Sequence, residues 1–483
     1  MSPMAEQIAK RRWVATLASS ILPGSGQLYL GDRRMGYWLL AVDAVLITLF
    51  AVAVGWFQLE LVKLWVSTDA LIVISILNIV VLIYRALATT TAFSDAPDEP
   101  VSVPSVAGLA IAALVVAGPH LLLGYLAFVQ FDLIETVFPD PAPVAVATTT
   151  TTAAPMTSAV PSSTSTTDAA TTTTMPPTTT TTEPPIWDGL ERLNVVLLGA
   201  DAGEGRTGVR TDTTIVVSVD PATGYTVMLS VPRDLSNAPL PAEMGLWGCD
   251  CFPDLITHLY DAAERNPGAF PGPGEPPFNA IKGALSEIFG MPIHYYAMVT
   301  LDGFVGVVDA LGGVTIDVPK TIVDETYPHE DGSTEHVVIE AGERHLDGHL
   351  ALAYSRIRRH SDDFARMHRQ RCVLGAIVSQ TSPLDIVANF GRIAEAVKQY
   401  VSTDIPQDRL VDFVDLVPRV SADRIATLRI TRDQYQVGAA PGRVYYDMER
   451  IKSDAQALTA DPQSAIDRLG LNPLDATCDK SFE

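Results

Sequence analysis

Residues 192–234 read RLNVVLLGADAGEGRTGVRTDTTIVVSVDPATGYTVMLSVPRD. Three β-rich runs stand out: 192–199, ending at Gly199, then 213–219 and 225–231. The last two flank Asp220-Pro221-Ala222-Thr223-Gly224, a turn signal that predicts a hairpin. Working outward, 279–289 and 301–311 carry apolar residues at helical spacing, with a strand-like 294–300 between them. Gly312-Gly313 stops the second helix, and VTIDVP follows as another strand. Residues 363–380 and 383–399 read as long helices. Strands alternating with helices predict an α/β class domain, an α/β/α sandwich, over residues 188–435. Residues 436–483 predict an extension packing on that domain, helical at 446–459, and no internal repeat is visible.

The chain before this domain has a different composition. The 483 residues carry a formal charge of −23 and are 47% apolar. Residues 1–135 read as a membrane region with three apolar runs at 36–57, 66–84 and 106–129, each near the ~20 residues a spanning helix needs. Lys10, Arg11, Arg12, Arg33 and Arg34 precede the first run and Arg85 follows the second. The positive-inside rule makes both sides cytoplasmic, so three spans send everything later outside. A multi-pass cell-membrane protein with an extracytoplasmic C-terminal domain is the expectation. Residues 13–30 are interrupted by Pro23, Gly24 and Gly26 and predict a re-entrant or interfacial segment. Residues 136–187 form a Thr/Pro/Ala-rich linker of mucin-like composition, which cannot bury a core. It is expected to be disordered and to hold the domain off the membrane.

The charge excludes one function class. A nucleic-acid binder needs a basic surface to displace counterions, and neither half supplies one. Locally the balance reverses. Residues 356–371, RIRRHSDDFARMHRQR, contain six arginines in an otherwise acidic domain. Arg356 and Arg358 are two apart and share a face on a strand-like stretch. Arg366 and Arg369 are three apart and are neighbours on a helix. Guanidinium forks suit phosphate oxygens, so an anion site competes here with a solvated face paired to acidic neighbours.

A second signal lies near the ends of the first strands: Asp201, then Arg210-Thr211-Asp212-Thr213, then Arg233-Asp234. Polar residues there build α/β sites. Two converging carboxylates suit Mg²⁺, which takes few carboxylates plus phosphate oxygens; ordinary loop capping is the other reading. The glycines of GADAGEGRTG lack the Gly-Lys-Ser/Thr ending of a phosphate loop. No Gly-X-Ser-X-Gly nucleophile elbow is present. Cys249-X-Cys251 lacks a second pair at zinc spacing. The expected disulfide is Cys372–Cys478, with Cys249 and Cys251 pairing tightly or staying reduced. Tyr295, Tyr296, Phe304 and the apolar helix 301–311 read as core, or in part as the wall of a channel for a lipid chain.

Taken in order, NVVLLGAD, RTDTTIVVSVDPATGYTVMLSVPRD, NAIKGALSEIFGMPIHYYAMVTLDGFVGVVDALGGVTIDVP and GERHLDGHLALAYSRIRRHSDDFARMHRQR resemble the LytR-CpsA-Psr family over about residues 192–380. The resemblance implies transfer of a phosphoglycopolymer from a polyprenyl pyrophosphate carrier to peptidoglycan, outside the cytoplasmic membrane and with Mg²⁺. It implies a prenyl tail in an apolar channel through the domain. It places Asp201 and Asp212 at the metal, and Arg210, Arg233, Arg356 and Arg358 on the pyrophosphate. Asp363, Arg366, Arg369 and Gln370 fall at or near the site. Many relatives carry a Lys-Ile-Asn-Ala-like segment after the hairpin; here Leu255-Ile256-Thr257-His258 stands there. A prenyl-carrier pyrophosphatase and a non-catalytic lipid- or glycan-binding receptor are the alternative readings.

Overall fold

Asp32 accepts a hydrogen bond from the Met35 amide and Ser67 from the Ala70 amide, so each closes the first turn of a long apolar helix. A computed structural model describes residues 3–95, 103–140, 185–201, 208–329, 333–357, 363–380, 383–420 and 424–469. Most of the Thr/Pro-rich linker, Arg358 and Cys478 lie outside the described residues. The first helices are α1 (Pro3–Ile21), α2 (Ser25–Leu30), α3 (Arg33–Trp56), α4 (Gln58–Trp65), α5 (Thr68–Ser94) and α6 (Val103–Val137). By length and composition α3, α5 and α6 can cross a membrane.

Helix α5 outruns the apolar run at 66–84. Thr89, Thr90 and Thr91 turn their hydroxyls back onto the carbonyls of Arg85, Ala86 and Leu87, so the polar end stays satisfied within the helix. Residues 13–30 form the end of α1, a turn and α2. Arg85 donates to the carbonyls of Ser20 and Ile21 at 2.8 and 3.2 Å, and Gln27 donates to that of Ala88 at 2.7 Å. This segment therefore packs against α5 as a helix–turn–helix and is not one of the three candidate spans.

The domain follows as β1 (Leu193–Asp201), β2 (Arg210–Val219), β3 (Thr226–Val231), β4 (Ser236–Pro239), β5 (Cys251–Leu255), α7 (Leu259–Arg265), α8 (Pro276–Phe289), β6 (Tyr295–Thr300) and α9 (Leu301–Leu311). Strands β7 (Val314–Val318), β8 (Ile322–Pro328), β9 (Thr334–Ile339) and β10 (Gly342–Leu346) lead to α10 (Gly348–Arg356), α11 (Asp363–Gln380) and α12 (Pro383–Tyr400). Then come β11 (Val401–Thr403), α13 (Leu410–Leu416) and β12 (Ile425–Arg429). A six-stranded sheet runs in the order β11-β6-β1-β2-β3-β12. The β1–β6 and β3–β12 pairs are parallel and the rest antiparallel, so the sheet is mixed.

Alternation along each strand splits its residues between two faces. Val196, Leu198, Val216 and Leu229 pack on one side with Leu285 and Ile288 of α8 and with Ile451 and Leu458 of helix Met448–Ala460. The described part of the C-terminal extension is thus part of this core. A second cluster joins α9, α10 and α11 to β7–β10 through Val308, Ile316, Tyr354 and Val373. Cys249 and Cys251 are disulfide-bonded to each other with Cα atoms 5.1 Å apart. Cys372 is also disulfide-bonded.

Three details depart from the sequence reading. Strand β2 begins at Arg210, not 213, because Asp201↔Arg210 and Ala200↔Thr211 continue the β1–β2 ladder past a bulge at Gly199/Ala200. Arg356 closes a helix, not a strand-like stretch. The domain also touches the N-terminal helices: Lys398 of α12 pairs with Asp132 of α6 at 2.7 Å, and Lys63 of α4 with Asp415 of α13 at 2.7 Å. Gly303 of α9 permits the packing of α12, since a β-carbon there would lie 2.4 Å from Tyr400 Cβ.

Candidate active site

The face of the sheet opposite the main core is not filled. Leu197, in the central strand β1, is 36% exposed. It sits on the floor of a cavity of about 560 Å³. Leu197, Ile215, Ala297 and Val299 from three adjacent strands line that floor, and Phe304 of α9 and Leu352 of α10 line it from the helices. Gly199 also lines it; a β-carbon there would approach Thr213 Cβ to 3.0 Å. Phe304, read from sequence as core or channel wall, is both: it packs against the second cluster and lines the cavity.

One end of this apolar space carries charge. Arg233, Arg356, Arg366, Gln370 and Asp212 line it. Asp212 Oδ1 accepts from Arg233 Nη1 at 3.0 Å and from Thr257 Oγ1 at 3.3 Å. Arg366, which is 4% exposed, donates from Nη1 to the Asp212 carbonyl at 3.3 Å. Burial pushes the Asp212 carboxyl up, but the Arg233 guanidinium, with help from Arg366 and Thr257, outweighs it and holds the pKa below the ordinary aspartate value. Asp201, buried at the end of β1, has its Oδ2 3.6 Å from Arg356 Nη2.

The sequence-predicted residues divide. Asp212, Arg233, Arg356, Arg366 and Gln370 meet at the cavity, and Asp201 joins them through Arg356. Arg210 is exposed beside the site, as the ladder partner of Asp201. Arg369 does not line the cavity. It is 2% exposed, donates from Nε to the Tyr354 carbonyl at 2.7 Å and from Nη2 to the Ile357 carbonyl, and lies over the Tyr354 ring. It ties the end of α10 down, as basic side chains do at helix C-termini. Asp363 opens α11. Arg358 lies outside the described residues.

Sequence reasoning missed Thr257 and Tyr327. Thr257 belongs to the segment that departs from the Lys-Ile-Asn-Ala-like pattern, and it supplies a hydroxyl to Asp212. Tyr327 lines the cavity from β8, with Arg356 Cζ 6.0 Å from its ring centroid. Its ring meets those of His349 and His329 edge-on, at centroid distances of 5.8 and 6.5 Å. No motif announces a tyrosine in a short hairpin; only the folded hairpin brings it to Arg356.

The profile of the LytR_cpsA_psr family matches residues 148–460. The chain belongs to that family. Among its relatives, a polyisoprenyl-teichoic acid–peptidoglycan teichoic acid transferase TagU of Halalkalibacterium halodurans is 30% identical over 255 residues, 52% of this chain and 72% of that protein. TagU of Oceanobacillus iheyensis is 31% identical over 222 residues, 46% of this chain and 61% of the relative. TagV of Bacillus subtilis, another such transferase, is 27% identical over 278 residues, 54% of this chain and 63% of the relative. The crystal structure of Bacillus subtilis TagV aligns with 56% of this chain and 98% of its own, at 24% identity and a TM-score of 0.41.

Proposed function

We propose that this LytR_cpsA_psr domain transfers a phosphoglycopolymer from a polyprenyl pyrophosphate carrier to peptidoglycan on the outer side of the membrane, in a multi-pass membrane protein. The single observation carrying this reading is the cavity, apolar along the sheet and ending on Arg233, Arg356 and Arg366. A ligand that fits it has a long apolar tail and an anionic head. The names of the TagU and TagV relatives, which act on polyisoprenyl-linked teichoic acid and peptidoglycan, support that substrate class.

The reaction in this proposal follows from the charges. An acceptor hydroxyl attacks the phosphorus that carries the glycan. The new O–P bond forms as the bridging P–O bond breaks, and the electron pair leaves on the prenyl phosphate. Arg356 and Arg366 face the oxygens that gain charge and stabilise them electrostatically. Arg233 orients Asp212 through the 3.0 Å ion pair. Asp201, beside Arg356, and Asp212, beside Arg233, are the two carboxylates at this end of the cavity, and one of them takes the acceptor proton.

The donor set fits a magnesium ion. Asp201 and Asp212 offer hard carboxylate oxygens at the arginine-lined end of the cavity. Mg²⁺ takes few protein carboxylates and completes its shell with phosphate and water. When bound there, Mg²⁺ would neutralise charge on the pyrophosphate.

The test uses the full chain in lipid nanodiscs with a labelled polyprenyl-pyrophosphate glycan and peptidoglycan fragments, with and without Mg²⁺. Mg²⁺-dependent label on peptidoglycan is the expected result. Release of label without transfer would point to a pyrophosphatase, and binding without turnover to a receptor; either overturns the proposal.

A further inference from the structure

The cavity crosses the sheet and reaches its edge. Asp212 stands beside Thr213, which pairs with Gly199; Gly199 pairs with Val299, and Val299 with Val401. Thr213, Gly199, Val299 and Val401 all line the cavity. Val401 therefore marks the end away from Asp212, three strand spacings or about 14 Å across the sheet from Thr213. It belongs to β11, the edge strand.

That edge sits on the membrane helices. Lys398, three residues before Val401, pairs with Asp132 of α6 at 2.7 Å. Gln407 donates to Asp140 Oδ1 at 2.6 Å and to the Pro139 carbonyl at 3.1 Å. Leu410 of α13 packs with Phe131 and Ile134 of α6. Just below on α6, Tyr125 and Phe128 are 56% and 67% exposed. Tyrosine at a span's end favours the interface with lipid headgroups, and phenylalanine the hydrocarbon beside it. Asp132 follows Tyr125 by about two helical turns on α6, so the Lys398–Asp132 clamp stands just past the end of this aromatic stretch, beside the Val401 end.

We propose that the Val401 end of the cavity opens to the lipid phase, and that a prenyl chain passes out there, along α6, into the bilayer while its phosphates rest on the arginines. Pockets of about 300–1,000 Å³ enclose drug-sized ligands, and this one holds only part of a long prenyl chain. The remaining isoprene units stay in hydrocarbon instead of meeting water. The carrier is then never extracted from the membrane, and the Lys398–Asp132 and Lys63–Asp415 pairs fix the cavity against its lipid source. This rests on the prenyl-carrier reading above.

The test uses the full chain in phospholipid vesicles containing a long polyprenyl phosphate with a photoreactive group at its far end. Saturable labelling is mapped, meaning label displaced by excess unlabelled polyprenyl phosphate. The expected sites are the outer turns of α6 around Tyr125 and Phe128. A short-chain probe should label Met298 or Phe304 inside the cavity instead. Lys398→Glu should reduce the saturable α6 label at least fivefold, and Asp132→Lys with Lys398→Glu should restore it. Crosslinking of the double variant Asp132→Cys with Lys398→Cys in vesicles by a short bifunctional thiol reagent, whose span replaces the lysine side chain, reports the docking independently of any ligand. Saturable label confined to the cavity lining, an α6 label indifferent to Lys398→Glu, or no crosslink between the two introduced cysteines would overturn this inference alone. No saturable label anywhere in the domain would sink the prenyl-carrier reading with it.

Discussion

Asp201 and Arg356, more than 150 positions apart in the chain, face each other at 3.6 Å from the end of β1 and the end of α10. Both groups are held at the charged end of an otherwise apolar cavity. Removing Arg356 should spare the fold, because its side chain is partly exposed and its ion pair with Asp201 is long. Arg356→Ala is expected to lower transfer by about 10²–10³-fold, the range for loss of one transition-state donor. Steady-state transfer rates, with circular dichroism to verify folding, measure this; unchanged turnover would remove Arg356 from the site.

Arg369 should behave in the opposite way. Its loss leaves the Tyr354 and Ile357 carbonyls without their guanidinium donor, at about 1–3 kcal/mol for each buried group left unsatisfied. Arg369→Ala is expected to lower the melting temperature by several degrees. Activity at a temperature where the variant is folded should fall less than for Arg356→Ala.

The cavity floor offers a steric test. Leu197→Trp places a larger ring in space that Leu197 already borders with 36% exposure, so stability should change little. Binding of a long-chain prenyl phosphate, followed by tryptophan fluorescence or calorimetry, should weaken at least tenfold, or about 1.4 kcal/mol. Unchanged affinity would show that the tail lies elsewhere.

Asp212 predicts a pH dependence of stability. Its pKa is lowered in the folded state, so its stabilising effect is present above the ordinary aspartate value of 3.8 and is lost as pH falls through the lower folded value. Asp212→Asn should therefore destabilise the protein at pH 7. It should also flatten the part of the acid limb that lies below pH 3.8. Denaturant melts of both proteins from strongly acidic to neutral pH check this, and parallel curves would refute the assignment.

Much of this molecule was legible in its sequence because local signals and tertiary demands agree. The Asp220–Gly224 turn and its flanking β-runs predicted the β2–β3 hairpin, and apolar spacing predicted α8 and α9 within a few residues. The misses have physical causes. Arg210 and Thr211 extend β2 only because β1 supplies partners, with Asp212 at the bulge between them and Thr213, and a ladder cannot be seen from one strand. Arg366 and Arg369 look alike at helical spacing, yet one turns to the cavity and the other to the end of α10, a choice made by packing. Tyr327 reaches Arg356 through a hairpin whose own sequence names no ligand.

The sheet ends at β11, a strand of three residues with α6 laid against it. Unpaired strand edges recruit other chains, and proteins blunt them by shortening or covering them. Here the cover comes from α6 of the same chain. A fragment cut away from that helix would present the bare edge and Leu410 to water, and is expected to self-associate under conditions where the intact protein stays monodisperse in nanodiscs.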